Sequence, residues 1–206
     1  MDAPLTSLPF GQLLDSIAAK TPTPGGGAVA GAVGALSAAL AGMVVSYSVG
    51  KKSLAAFQDK LVAASASLVK ARTLMLRLAD EDAAAYGLVN ELSRLAETDE
   101  RRTREWPAAS MAAVQVPMAV IAASTDLLRH FEELTTISNR HLRSDLAIAA
   151  VLAEATARAG RWNVVVNVGG LDAAAGARFL VESGSMVAAA AALCAKVEKA
   201  CAEPAP

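Results

Sequence analysis

The sequence is poor in the residues that would point to sheets, metals or nucleic acid. Aromatics make up 4% of its 206 positions, and long runs rich in Val, Thr, Tyr and Phe are nearly absent, so an extended sheet has little to build on. The only histidines are His130 and His141, with no acidic motif at ligand spacing, so no metal site is expected. The two cysteines, Cys194 and Cys201, fall on one face of an expected terminal helix, too far apart to bridge, and no second pair suggests zinc. No basic-then-apolar segment opens the chain, and a reduced, cytoplasmic setting is expected. Formal net charge is −1, and no lysine and arginine run interleaved with aromatics appears. A nucleic-acid partner therefore has no electrostatic footprint.

Charge is missing altogether from residues 21–50 and 106–125. Either stretch is long enough to span a bilayer. The first is mostly alanine and glycine, which gain little on insertion, and the second contains Pro107, Gln115 and Pro117. The first stretch is read as a central helix buried on all sides, and no membrane partner is expected.

What the chain has in abundance is alanine, which carries much of the 54% apolar fraction and is the best helix former. The expected fold is all-α, one domain over residues 1–206, an alanine-rich bundle of long helices. Phe10, Leu13, Leu14 and Ile17 mark a short first helix after Pro9. Thr21-Pro22-Thr23-Pro24-Gly25-Gly26-Gly27 breaks it and opens a helix over about 28–48. Gly50-Lys51-Lys52 closes that helix, with Ser53 expected as the next N-cap. Leu54, Phe57, Leu61, Ala64, Leu68, Ala71, Met75 and Leu78 then form a heptad-like seam, which continues through Asp82, Ala85, Val89 and Leu92. Residues 97–105 read as an exposed charged turn. A helix interrupted near Pro117 follows, running to about 134. Another is expected over 144–159, a short strand or continued helix over 163–167, and a last helix over 173–201 with a frayed tail beyond.

The glycine triplet mimics two nucleotide-binding motifs and fits neither. Gly25-x-Gly27-x-x-Ala30 lacks the preceding strand of a dinucleotide fold, and a phosphate loop would need glycine at Val45. What survives is a glycine loop opening a helix, which bares backbone N–H groups and lets a ligand approach closely; a plain tight turn would use the same residues. Asp82 is the most informative residue, because it stands where the seam calls for an apolar side chain. A carboxylate there loses hydration and must find a partner or keep its proton, and either outcome suits catalysis. Asp80 and Glu81 read as surface acids. Ser144-Asp145 reads locally as an N-cap with an acid in the first turn. His141, beside Asn139, is a weak acid/base candidate.

Taken in order, Thr-Pro-Thr-Pro-Gly-Gly-Gly (21–27), Gly-Lys-Lys (50–52), Asp-Glu-Asp-Ala (80–83), Val-Pro (116–117), Ser-Asn-Arg-His (138–141), Ser-Asp (144–145) and Asn-Val-Val-Val-Asn (163–167) span most of the chain. Together they resemble the formiminotransferase-cyclodeaminase and methenyltetrahydrofolate cyclohydrolase family. Ser138 and His141 depart from that family's Gly-Asn-x-Asn pattern. The resemblance implies an all-α fold, a dimer or higher homo-oligomer, and a folate site near the glycine loop and a subunit contact. It implies either hydrolysis of methenyltetrahydrofolate or cyclisation of formimidoyltetrahydrofolate with loss of ammonia; a non-enzymatic folate-binding or assembly protein on the same scaffold is the third reading. Asp82 is the first catalytic candidate and Asp145 the second. Gly25, Gly26 and Gly27 would shape the pocket, and Lys51, Lys52, Asn139 and Ser144 would contact substrate. The folate is the substrate, and no metal or redox cofactor is required.

Overall fold

Glycine and alanine allow helix axes to come unusually close, and the computed structural model, which describes residues 4–202, depends on that closeness. Among the described residues there are six α-helices and no strand: α1 (Phe10–Ala18), α2 (Gly26–Ser46), α3 (Gln58–Leu92), α4 (Glu100–Ile137), α5 (Arg143–Asn167) and α6 (Ala173–Ala202). Helix α2 packs between α3 and α5, α4 lies against α3 and α5, and α6 closes on α4 and α5. Residues 203–206 of the expected frayed tail lie outside the described residues.

Bare backbone sets the close contacts. A Cβ on Gly31 would lie 2.8 Å from the Ala79 Cβ and 2.9 Å from the Met75 carbonyl of α3, and one on Gly34 would lie 2.8 Å from Met75 Sδ. Gly160 does the same for α5 against Ile121 of α4, at 2.9 Å. Ser37, fully buried in α2, donates to the Ala149 carbonyl of α5 at 2.7 Å. On α3 the seam lies inward as expected, with Leu61, Leu68, Met75, Leu78, Asp82 and Leu92 buried.

Several boundaries differ from the sequence reading. Helix α2 is not covered on all sides: Leu36 is 51% exposed, and Val29, Val33, Leu40 and Met43 are half-buried along the same face. By length and composition alone, α2, α4 and α6 are each long and apolar enough to cross a membrane. Ser53 caps nothing; it sits in a 3-10 turn (Lys52–Phe57), and α3 starts after Phe57. The charged cluster at 97–105 is mostly the start of α4. Asp99 accepts hydrogen bonds from the Arg101 and Arg102 backbone N–H groups, so the acid and base run caps a helix instead of looping.

Pro117 does not interrupt α4. Proline removes the N–H that would have bonded the carbonyl four residues back. That carbonyl, on Ala113, instead accepts from Asn167 Nδ2 of α5 at 2.7 Å, so the ladder is repaired from a neighbouring helix. Residues 163–167 are the last turn of α5, so the continued helix holds there and the strand does not.

Glycine at 31 and glycine at 87 make opposite demands. Gly31→Ala forces α2 off α3 and is expected to destabilise the fold by about 1–3 kcal/mol. Gly87→Ala, in the interior of α3 with nothing within 4 Å of the added Cβ, is expected to stabilise it by about 0.5–1 kcal/mol. Urea unfolding midpoints of the two variants moving in the same direction would contradict this packing.

Candidate active site

The loop before α2 is tied to itself, with Thr21 Oγ1 donating to the Thr23 carbonyl at 2.9 Å and a cis bond preceding Pro24. Helix α2 then begins on Gly26 without any side-chain cap. Its first N–H groups and the positive end of its dipole therefore face whatever approaches. Asp82 of α3 is what approaches. It is 8% exposed, and its carboxyl accepts a hydrogen bond from the Ala28 N–H. A Cβ on Gly27 would overlap the Asp82 carboxyl group, so glycine at 27 is a steric requirement of this contact.

Two effects compete on that carboxyl. Burial raises its pKa, the Ala28 hydrogen bond lowers it, and burial wins: the group is pushed up to about 6. Around it lies a cavity of about 250 Å³. Pro22, Thr23 and Gly25–Gly27 form one wall, Asp82 and Tyr86 of α3 a second, and Asn163, Val166 and Asn167 of α5 the third. Asn163 Nδ2 donates to the Ala159 carbonyl, which leaves its Oδ1 on the Gly26 side as an acceptor. The arrangement can hold a flat, hydrogen-bonding ligand and present it with a group that gains or loses a proton near neutral pH.

Tyr86, Asn163 and Asn167 were missed as site residues. The signal was present in the Asn-x-x-x-Asn spacing, which puts both amides on one face if the segment is helical. Glu81 is exposed and pairs with Arg77 at 3.1 Å, as expected of a surface acid.

The remaining candidates are not in this cavity. Lys51 and Asn139 line a second one, of about 330 Å³, with Ser53, Ser138, Arg140 and His141. It lies at the far end of α2, about 30 Å away at 1.5 Å per residue. Lys52 is exposed on the turn there, and Ser144 is exposed in the first turn of α5. Asp145 lies in that same turn, about 30 Å along α5 from Asn167, so within one chain it does not share the Asp82 cavity. Nor is Ser144 the N-cap of α5, since Leu142 holds that place. Asn139 is largely occupied structurally: its N–H donates to Ser48 Oγ at 2.8 Å and its Oδ1 accepts from the His141 N–H. Ser138 has φ −98 and ψ 174, an extended conformation any residue adopts, so serine sits there without strain. A larger hollow of about 540 Å³ between α3 and α4, lined by Lys60, His130 and Glu133 among others, contains none of the favoured candidates.

The formiminotransferase-cyclodeaminase family model matches residues 9–183. The chain is 32% identical over 163 residues to the methenyltetrahydrofolate cyclohydrolase of Methylorubrum extorquens, covering 77% of this chain and 78% of that protein. It is 26% identical over 190 residues to the formimidoyltransferase-cyclodeaminase of Gallus gallus, covering 90% of this chain but only 35% of that longer protein. The crystal structure of formiminotetrahydrofolate cyclodeaminase from Thermotoga maritima superposes with a TM-score of 0.85 at 28% identity, covering 94% of this chain and 96% of that one.

The raised pKa of Asp82 has a consequence for stability. The folded chain holds this proton more tightly than the unfolded chain, so the contribution is full below the ordinary aspartate value of 3.8 and is lost as pH rises through about 6. Above that, the native state carries a buried carboxylate at a penalty on the order of 2 kcal/mol. Urea midpoints of the protein and of Asp82→Asn, compared from pH 4 to 8, should diverge in favour of the variant as pH rises. Parallel curves would show Asp82 to be solvated.

Proposed function

The chain belongs to the formiminotransferase-cyclodeaminase family, and we propose that it is a folate one-carbon enzyme that hydrolyses 5,10-methenyltetrahydrofolate to 10-formyltetrahydrofolate. The observation that carries this reading is the buried Asp82 carboxyl facing a glycine-walled cavity. The methenyl bridge is an amidinium cation, and a carboxylate held beside it in a partly dry site stabilises it far more than water would. The likeness in sequence and length to a stand-alone cyclohydrolase supports hydrolysis as the reaction.

In this mechanism Asp82, ionised above about pH 6, takes a proton from water as the oxygen attacks the bridging carbon. The bond from that carbon to the ring nitrogen N5 then breaks as the protonated Asp82 returns the proton to N5, and the remaining hydroxyl proton leaves to solvent as the formyl carbonyl forms. The formyl group stays on N10. Gly27 lets the carboxyl reach the cavity, Asn163 and Asn167 offer amides to the pterin edge, and Tyr86 offers a ring face at the rim. No cofactor enters this sequence of steps. The enzyme works as a homo-oligomer in a reduced, cytoplasmic setting; the uncovered apolar face of α2 supports the first part of this reading.

The cyclodeaminase reaction is the second reading, favoured by the superposition on the Thermotoga maritima enzyme. There N10 would attack the formimino carbon and ammonia would leave, generating the same methenyl cation beside the same carboxyl. Loss of methenyltetrahydrofolate absorbance on adding protein is expected, with no ammonia released from formimidoyltetrahydrofolate; the reverse result selects the cyclodeaminase. Binding without turnover of either compound from pH 6 to 9 leaves the non-enzymatic scaffold.

Asp82→Asn should lower kcat by about 100-fold or more with helix content unchanged in far-UV circular dichroism. In the native protein kcat/KM should climb as pH rises through about 6, following the base form of Asp82. Undiminished turnover by the Asn variant removes Asp82 from the mechanism.

A further inference from the structure

Both polar side chains on the α5 wall of the Asp82 cavity face it as acceptors. An asparagine amide has one donor end and one acceptor end, and a neighbouring carbonyl fixes which way it points. Asn167 Nδ2 donates at 2.7 Å to the Ala113 carbonyl of α4, the group that Pro117 leaves without its helix donor. Turning that amide over would set oxygen against oxygen. Asn163 Nδ2 donates to the Ala159 carbonyl at 3.1 Å. Both donor ends are therefore taken up by the protein, and both Oδ1 atoms are left to the cavity that the two residues line.

The α2 wall offers the reverse. Helix α2 starts on Gly26 with no side-chain cap, its Ala28 N–H is taken by Asp82, and its Val29 N–H by the Gly25 carbonyl. The Gly26 and Gly27 N–H groups bond to nothing among the described residues.

These groups come in a fixed order round the cavity. Asn163 Oδ1 lies 3.7 Å from where a Gly26 Cβ would stand, and the Asp82 carboxyl occupies the place of a Gly27 Cβ. Asn167 follows Asn163 one turn later on α5. From α5 round to α3 the order is acceptor, acceptor, donors, carboxyl. A 2-amino-4-oxo pteridine carries the complementary order along one side: the 2-amino group, N3–H, the 4-oxo oxygen, and then N5 on the same flank as that oxygen. A 4-amino pteridine does not. Its bare N3 would turn a lone pair toward an amide oxygen, and its 4-amino group would set N–H against N–H.

We propose that Asn167 and Asn163 accept from the 2-amino group and N3–H while the start of α2 donates to the 4-oxo oxygen. The cavity then selects 2-amino-4-oxo pteridines over 4-amino ones, and the same register sets N5 and its one-carbon bridge beside Asp82. This inference deepens the folate reading above and rests on it. Asn163 and Asn167 are specificity residues that touch the ring, and their oxygens, not their nitrogens, do the reading.

Competition between tetrahydrofolate and its 4-amino-4-deoxy counterpart tests the edge directly, by calorimetry and by inhibition of methenyltetrahydrofolate turnover. The 4-amino compound should bind about 100-fold or more weakly, because a site built on hydrogen bonds rejects a ligand that leaves them unpaired. Asn163→Leu should shrink that preference to about 10-fold or less and raise KM for methenyltetrahydrofolate, with helix content unchanged. Asn167→Leu alone strands the Ala113 carbonyl and tests stability as much as binding. In a Pro117→Ala background that carbonyl regains a helix donor, so the double variant should fold and show the same loss of preference. Equal affinity for the two compounds in the native protein, or an undiminished preference in both the Asn163→Leu and the Asn167→Leu/Pro117→Ala proteins, overturns the edge assignment without touching the proposed reaction. A native protein that prefers the oxo compound yet turns over neither folate upholds the assignment and removes the reaction. One that binds neither compound removes both.

Discussion

The contact between the Asp82 carboxyl and the bare backbone of Gly27 organises the molecule at its reactive end. It is possible only because three conditions hold together. Position 27 has no Cβ, α2 begins there with uncapped N–H groups, and the α3 seam delivers a carboxyl where its periodicity calls for a hydrocarbon. Alter any one and the other two lose their sense. A side chain at 27 would expel the carboxyl, and an apolar residue at 82 would leave the helix start facing nothing polar from α3. The balance between burial and the Ala28 hydrogen bond leaves the group titrating near neutrality, the range in which one residue can serve as base and then as acid.

That contact depends on how closely the helices lie. Gly31 and Gly34 continue the line of Gly27 along α2 and let it sink against α3, which fixes the height at which Asp82 meets the helix end. On the opposite wall the position of Asn167 is fixed by Pro117, whose missing N–H leaves a carbonyl that only a donor from outside α4 can satisfy. A proline that looks like a defect in one helix is thus the anchor for a cavity-lining residue of another.

The sequence made the helical class plain, because alanine content and the three-and-four spacing of α3 are local properties. It also made Asp82 conspicuous, because a break in an otherwise strict pattern is visible without knowing what surrounds it. Asn163 and Asn167 were hidden by Val-Val-Val between them, which carries strand propensity that packing overrides. Pro117 misled in the same way: its repair comes from a residue fifty positions away, and no local rule includes it. Helix α2 looked fully enclosed because uniform apolarity conceals which side faces the protein and which faces outward.

The candidate residues also fell into two groups that sequence order could not separate. Glycine loop, Asp82 and the two asparagines gather at one end of α2, while Lys51, Asn139 and His141 gather at the other. A helix of 21 residues is too long for one small cavity to include both its ends. Within one chain, therefore, only one end of α2 gathers the groups that the proposed chemistry uses. That end is the one where a buried carboxyl, a helix start bare of side chains and two amides meet. The other end pairs cations with a serine and an asparagine that are held by backbone bonds, so its polarity is spent largely on closing the fold.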